Sequence, residues 1–311
     1  MGFEHIPVLL KETIHELKIN PDGVYVDCTT GGGGHSEEIV KRLNYGKLIC
    51  IDQDLEALEA AKIRLRPWEK QIHFIHSNFV RLKDLVQGLG IDKLDGILMD
   101  IGVSSHQLDE ADRGFSYHED APLDMRMDQQ ADIATAADII NSYAEEDLAR
   151  IFWTYGEERW GKRVAAFIVE ERKTRRIEGA SELVDIIRRA IPRKARPEDK
   201  HPARKIFQAL RIEVNRELEV LDKVIEDGID LLRPRGRFCI ISFHSLEDRI
   251  VKNQFKEKST GCKCPPDFPV CICGRKPEVE IITKKPITAT DRELDINPRA
   301  RSAKLRVIEK L

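Results

Sequence analysis

No stretch of this 311-residue chain approaches the ~18 consecutive apolar residues that a membrane-spanning helix needs. The longest apolar run, around 238–243, suits a buried strand. The opening residues, MGFEHIPVLLKE, lack the apolar h-region of a secretory signal, and Ile6 stands where a myristoylation site needs Ser or Thr. The expectation is a soluble, cytoplasmic protein with no membrane partner. A disulfide framework is also not expected, because seven cysteines is an odd number in a chain read as unsecreted. There is no G-x-x-x-x-G-K-[ST], which argues against P-loop phosphate chemistry, and no clean G-x-G-x-x-G, which argues against a dehydrogenase.

What is present is a globular composition. Hydrophobic residues make up 41% and charged residues 34%, which excludes disorder and collagen-like structure. At about 150 residues per domain, this length predicts two domains. The net charge of −3 conceals an asymmetry. Residues 159–216 carry 17 Lys and Arg against 8 Asp and Glu, and residues 284–310 carry 8 against 4. A basic segment on an otherwise acidic chain points to a local polyanion site.

The first hundred residues alternate strand and helix signals. Apolar runs at 24–28, 47–51, 71–75 and 96–101 are separated by helical stretches at 36–43 and 55–65. This alternation predicts a parallel sheet with right-handed crossovers. From about 105 to 216 no buried strand is evident. Helical periodicity appears at 144–152, 159–173 and 181–190, and Pro192, Pro197 and Pro202 punctuate a basic linker. One long helix is expected over 203–232, ended by RPRG, after which RFCIISF returns as a strand. Residues 1–104 and 217–311 therefore read as one α/β domain, interrupted by a helical, basic domain at 105–216. Two weak strands near the end, IITKKP and AKLRV, suit a closing hairpin.

The sharpest local signal is VYVDCTTGGGGHS, a strand ending in Asp27 followed by four glycines and a helix. Glycine lets a backbone approach a ligand closely and adopt positive φ. Asp52 ends the second apolar run, where doubly wound folds place an acid that accepts two ribose hydroxyls. Asp54, just before LEALEAAK, is suited to cap that helix. Phe79 follows the third strand, where an adenine could stack. Asp100 ends the fourth strand, where a carboxylate could bind a ligand ammonium or face the reacting group.

The chain resembles the MraW family, the S-adenosylmethionine-dependent small-subunit rRNA (cytosine-N4)-methyltransferases. The resemblance runs nearly end to end, through HIPVLLKE, DCTTGGGGHS, DIGVSSHQLD, RGFSY, PLDMRMD, YGEER, HPARKIFQALRIEVNREL, ISFHSLEDRIVK and NPRARSAKLRV. It implies a Rossmann-like class I methyltransferase domain with an inserted helical domain. It also implies S-adenosyl-L-methionine as cofactor, with the donor site on Gly33, Gly34, His35, Asp52, Phe79, Asp100 and Gln107. The roles of His35 and Gln107 come from the resemblance alone. The implied partner is small-subunit rRNA or the small ribosomal subunit; a homodimer is left open. The alternatives are an amino-methyltransferase on DNA or another RNA, or a non-catalytic nucleic-acid-binding protein that retains the donor pocket. One departure is notable: many amino-group methyltransferases carry [DNS]-P-P-[YFW] after the fourth strand, whereas this chain has Asp100-Ile101-Gly102-Val103-Ser104.

That departure leaves the usual clamp on the target amine without its residues; the strand-tip position of Asp100 makes it the expected catalytic acceptor, the rival being that it only binds the donor. Phe115 and Tyr117 could stack on an extruded base, and Arg113 and Arg126 could hold phosphates; the same segments could equally fold over the pocket. His244 is either a general base or an ordering residue at a strand tip. Cys28, Cys50 and Cys239 should be small core residues. Cys262, Cys264, Cys271 and Cys273 crowd together and could hold zinc, although C-x-C spacing is tighter than the common C-x₂-C. No metal is assigned to the reaction.

Overall fold

A computed structural model describes residues 6–118, 120–196, 201–262, 264 and 273–311. The chain divides into two compact units, Met1–Gly102 with Leu218–Leu311, and Val103–Glu217.

The first unit is built on a seven-stranded sheet. Its strands are β1 (Val24–Asp27), β2 (Lys47–Asp52), β3 (Ile72–His76), β4 (Leu94–Asp100), β5 (Leu232–Ser242), β6 (Val279–Ile281) and β7 (Lys304–Lys310), in the order β3-β2-β1-β4-β5-β7-β6. The first five are parallel; β7 is antiparallel to β5, and β6 to β7. The order reverses at β1, beside which both β2 and β4 lie. This is the topological switch point at which open α/β sheets bind ligands, outside the carboxyl ends of the strands. Consecutive residues along a strand face opposite sides of the sheet. Thus Ile97 and Met99 join one buried cluster with Val26, Ile49 and Phe238, while Leu98 joins the other with Tyr25, Cys50 and Ile241. Burial on both faces explains why these strands read as continuous apolar runs. Cys28, Cys50 and Cys239 are buried, as expected of small core residues.

Two expectations are corrected. The helix expected over 203–232 is two helices, Arg204–Asn215 and Glu217–Leu231, broken at Arg216, which takes a left-handed conformation (φ 51°). The RPRG segment does not precede the fifth strand but lies within it. Leu232 pairs with Leu94 and Arg237 with Gly96, so residues 233–236 bulge out of register.

The second unit contains the helices Ala136–Ser142, Glu145–Thr154, Gly161–Glu171, Ala180–Ala190 and Arg204–Asn215. Its extended pairing among the described residues is an isolated bridge, Pro122 with Gly179. It has its own core, in which Ile139, Phe152, Val164, Leu183, Ile187 and Phe207 are buried.

Candidate active site

The carboxyl ends of β1, β2 and β4 bring three acids together with the glycine loop. At the tip of β1, Asp27 is buried; its Oδ2 accepts from Ser36 Oγ at 2.7 Å and its Oδ1 from Thr29 N at 3.2 Å. Burial raises its pKa to about 6, against those two hydrogen bonds. Asp27 was not singled out as a site residue from the sequence, although it carries the same strand-tip signal as Asp52.

Asp52 holds the glycine loop. Its Oδ2 accepts from Gly31 N at 2.7 Å and its Oδ1 from Asp54 N at 2.8 Å. Burial pushes its pKa up to about 7, opposed by these backbone hydrogen bonds and reinforced by the charges of Asp54 and Asp27. Asp54 is the helix cap expected of it: its Oδ1 accepts from Glu56 N at 3.1 Å and Ala57 N at 3.4 Å. In the loop, Gly33 has φ 79°, which favours glycine, and Gly34 opens the helix Gly34–Val40. A Cβ on Gly34 would stand 2.3 Å from Pro7 Cγ, so the loop is packed at the limit of backbone approach. Gly34→Ala is expected to destabilise the protein by about 1–3 kcal/mol through overpacking. A thermal melt checks this, and an unchanged midpoint would mean that Pro7 yields freely.

Asp100 closes the arrangement from β4. Its backbone N–H donates to Thr29 Oγ1 at 2.6 Å, tying the strand tip to the loop after β1. Its Oδ2 lies 3.9 Å from His35 Nδ1, and His35 Nε2 contacts the Val8 carbonyl at 3.0 Å. Its Oδ1 is buried with no hydrogen-bond partner among the described residues. Burial, with the charges of Asp27 and Glu247, holds this carboxyl well above the usual carboxylate range. A buried acceptor left unsatisfied costs roughly 1–3 kcal/mol, so its retention suits an atom that meets a ligand.

The remaining residues take more local roles. Phe79 follows β3 in the turn Phe79–Arg81, half-buried, with Asn78 Oδ1 accepting from Val80 N at 2.9 Å. Gln107 lies in the second unit, where it closes a capping box with Ser104: Ser104 N donates to Gln107 Oε1 and Gln107 N to Ser104 Oγ. His244 caps the helix Ser245–Ser259, with Nδ1 accepting from Glu247 N at 3.4 Å and Nε2 2.9 Å from Glu247 Oε1. This is the ordering role. Glu247, fully buried, accepts from Phe243 N and His244 N and adds negative charge toward Asp100.

In the second unit, Phe115 belongs to the buried core. Arg113 is buried and donates to the carbonyls of Arg126 and Met127, while Arg126 pairs with Asp124. These residues therefore serve internal packing. Tyr117 stacks on His201 at 4.8 Å between centroids. Exposed Arg175 and Arg176 pair with Glu182 and Asp138, whereas Arg163 lies over the Phe167 ring. A cleft of about 500 Å³ is lined by Arg159, Trp160, His201, Arg204 and Lys205 together with Glu158, joining basic and aromatic side chains.

The strand-tip site thus offers carboxylates, a spare acceptor and a close backbone loop. It suits a ligand that carries positive charge and donates from hydroxyls. S-adenosylmethionine has a sulfonium, an ammonium and a ribose diol, and fits that donor set.

The MraW methylase family model matches residues 2–311. The chain is similar to proteins named ribosomal RNA small subunit methyltransferase H. It is 57% identical to that of Clostridium botulinum (strain Loch Maree / Type A3) and 55% identical to that of Clostridioides difficile (strain 630), with 100% of both chains covered in each comparison. The protein of that name from Finegoldia magna is 55% identical over the same share.

Proposed function

Because this chain belongs to the MraW methylase family, we propose that it transfers a methyl group to the exocyclic N4 of a cytosine in small-subunit ribosomal RNA. It is an S-adenosylmethionine-dependent rRNA methyltransferase. The observation that carries the reading of the site is the unpartnered, buried Oδ1 of Asp100 at the switch point of the sheet.

When bound, S-adenosylmethionine supplies an electrophilic methyl group on a sulfonium. Gly33, Gly34 and His35 would flank it, Asp52 would accept from the ribose hydroxyls, and Phe79 would stack on the adenine. The N4 nitrogen of cytosine is a poor nucleophile because its lone pair is delocalised into the ring. Asp100 accepts a hydrogen bond from its N–H and localises that lone pair. Holding amine and methyl group in reacting geometry contributes up to roughly 7–11 kcal/mol in well-oriented cases. As nitrogen gains the methyl it loses one proton, to the Asp100 carboxylate or to water. The base must leave its stack to reach such a site.

The second unit is the proposed RNA-recognition surface, with Arg159, Lys162, Arg163 and Arg204 as exposed cations. Reversing Arg159, Lys162 and Arg204 to Glu is expected to weaken RNA binding and to flatten its salt dependence by about 0.7–0.9 in logarithmic slope per lost phosphate contact. An unchanged slope would place the RNA elsewhere.

The reading as a whole is tested with methyl-labelled S-adenosylmethionine and small ribosomal subunits lacking the modification, with naked rRNA and DNA in parallel. Label in N4-methylcytidine from RNA is the expected result. Label confined to DNA, or donor binding with no transfer, would overturn it.

A further inference from the structure

Residues 260–278 join the helix Ser245–Ser259 to β6 without a helix or strand among their described residues. The base of this excursion is pinned: Glu278 N donates to the Lys258 carbonyl at 2.9 Å, and Lys258 Nζ lies 3.4 Å from Glu278 Oε1. Above the base the described residues are exposed or half-buried, and none belongs to a hydrophobic cluster. Exposed segments that join no hydrophobic cluster are commonly held in place by disulfides or metal.

The sulfurs here are arranged for the second device. Cys262, Cys264 and Cys273 place their Sγ atoms within 4.8 Å of one another. Cys262 Sγ and Cys273 Sγ lie 3.7 Å apart, far beyond the ~2.05 Å of a disulfide bond. A tetrahedral site with metal–sulfur bonds of about 2.3 Å has sulfur–sulfur edges of about 3.8 Å. Cys264 N also donates to Cys262 Sγ at 3.3 Å, a hydrogen bond that stabilises negative charge on sulfur and orients it, as outer partners of metal ligands do. Cys271 lies outside the described residues.

We propose that Cys262, Cys264 and Cys273 form a structural zinc site, as thiolates, that staples this excursion. Zinc fits because it takes sulfur ligands in a tetrahedral arrangement and undergoes no redox change. The site is separate from the strand-tip acids and requires nothing of the methyl-transfer reaction.

The test uses the full chain, purified without metal-affinity resin and kept in reductant. Elemental analysis is expected to find about one zinc per chain, lost in Cys262→Ser/Cys273→Ser. Cobalt replacing the zinc should give the intense visible bands and sulfur-to-cobalt charge transfer of a tetrahedral thiolate centre. The variant is expected to retain S-adenosylmethionine binding while residues 260–278 become sensitive to protease. If the variant fails to fold, the cobalt spectrum of the unaltered chain still decides the matter. Zinc-free protein with no cobalt–thiolate band would overturn the proposal. So would iron in the site, or zinc content unchanged in the variant.

Discussion

Asp100→Asn is expected to lower kcat by roughly a hundredfold or more, the range in which a positioned acid or base contributes. The substitution preserves shape and the backbone N–H that holds Thr29 Oγ1, so the strand tip stays in place. What changes is the charge and basicity of the carboxyl group proposed to face the target amine. Because burial and neighbouring acids hold this carboxyl well above the usual carboxylate range, its ionised form is an unusually strong acceptor. The informative comparison is kcat at saturating donor against the donor Kd. A fall in kcat with little change in Kd assigns Asp100 to the amine. Lost donor affinity with normal turnover at saturation would make Asp100 a donor ligand only.

The second large effect is on donor binding. Asp52→Ala removes the proposed acceptor for the ribose hydroxyls and, at the same stroke, the anchor of Gly31 N and Asp54 N. Hydrogen bonds to charged groups contribute about 1.5–3 kcal/mol each, so the donor Kd should weaken by roughly a hundredfold. Calorimetric titration reads this directly, and a change of less than about threefold would remove Asp52 from the site. The same residue predicts a pH dependence. With its folded-state pKa raised to about 7, the folded, donor-free protein holds a proton that the unfolded chain releases near the ordinary Asp value of about 4. Stability is therefore greatest at the acidic side of that window and falls as pH rises through about 7, and Asp27, at about 6, acts in the same direction. Asp52→Asn should flatten the decline of Tm with pH. Donor affinity should rise over the same window, because a cationic ligand favours the ionised carboxylates.

Much of this architecture was legible in the residues. Apolar runs buried on both faces gave the five parallel strands. Of the weak pair near the end, AKLRV falls on β7, whereas IITKKP meets β6 only at Ile281, because β6 lies earlier, over Val279–Ile281. The capping role of Asp54 followed from its position just ahead of the helix. The break at Arg216 was not legible, because a left-handed non-glycine residue inside a helical pattern leaves no compositional mark. The RPRG segment misled because Pro and Gly signal a helix end, whereas here they form a bulge along β5. Asp27 carries the same strand-tip signal as Asp52, but its bond to Ser36 across the glycine loop is a contact only the fold creates. The unpartnered state of Asp100 Oδ1 is likewise a property of packing rather than of sequence. Gln107 is a partial case: S-x-x-Q is a readable capping box, yet any further role for it came from resemblance.

The strand order also imposes a schedule on synthesis. β4 ends at Asp100, but its parallel neighbour β5 begins at Leu232, and β7, which lies between β5 and β6 in the sheet, is made after both of them. Between them the ribosome must translate the whole of Val103–Glu217. That unit is contiguous in sequence and buries its own core, so it can fold as it emerges. The nascent sheet meanwhile waits with one long edge of β4 unpaired, the kind of exposed strand that invites mispairing. The burden of chaperoning thus falls on the half-built sheet, and slow translation through the helical unit would lengthen its exposure.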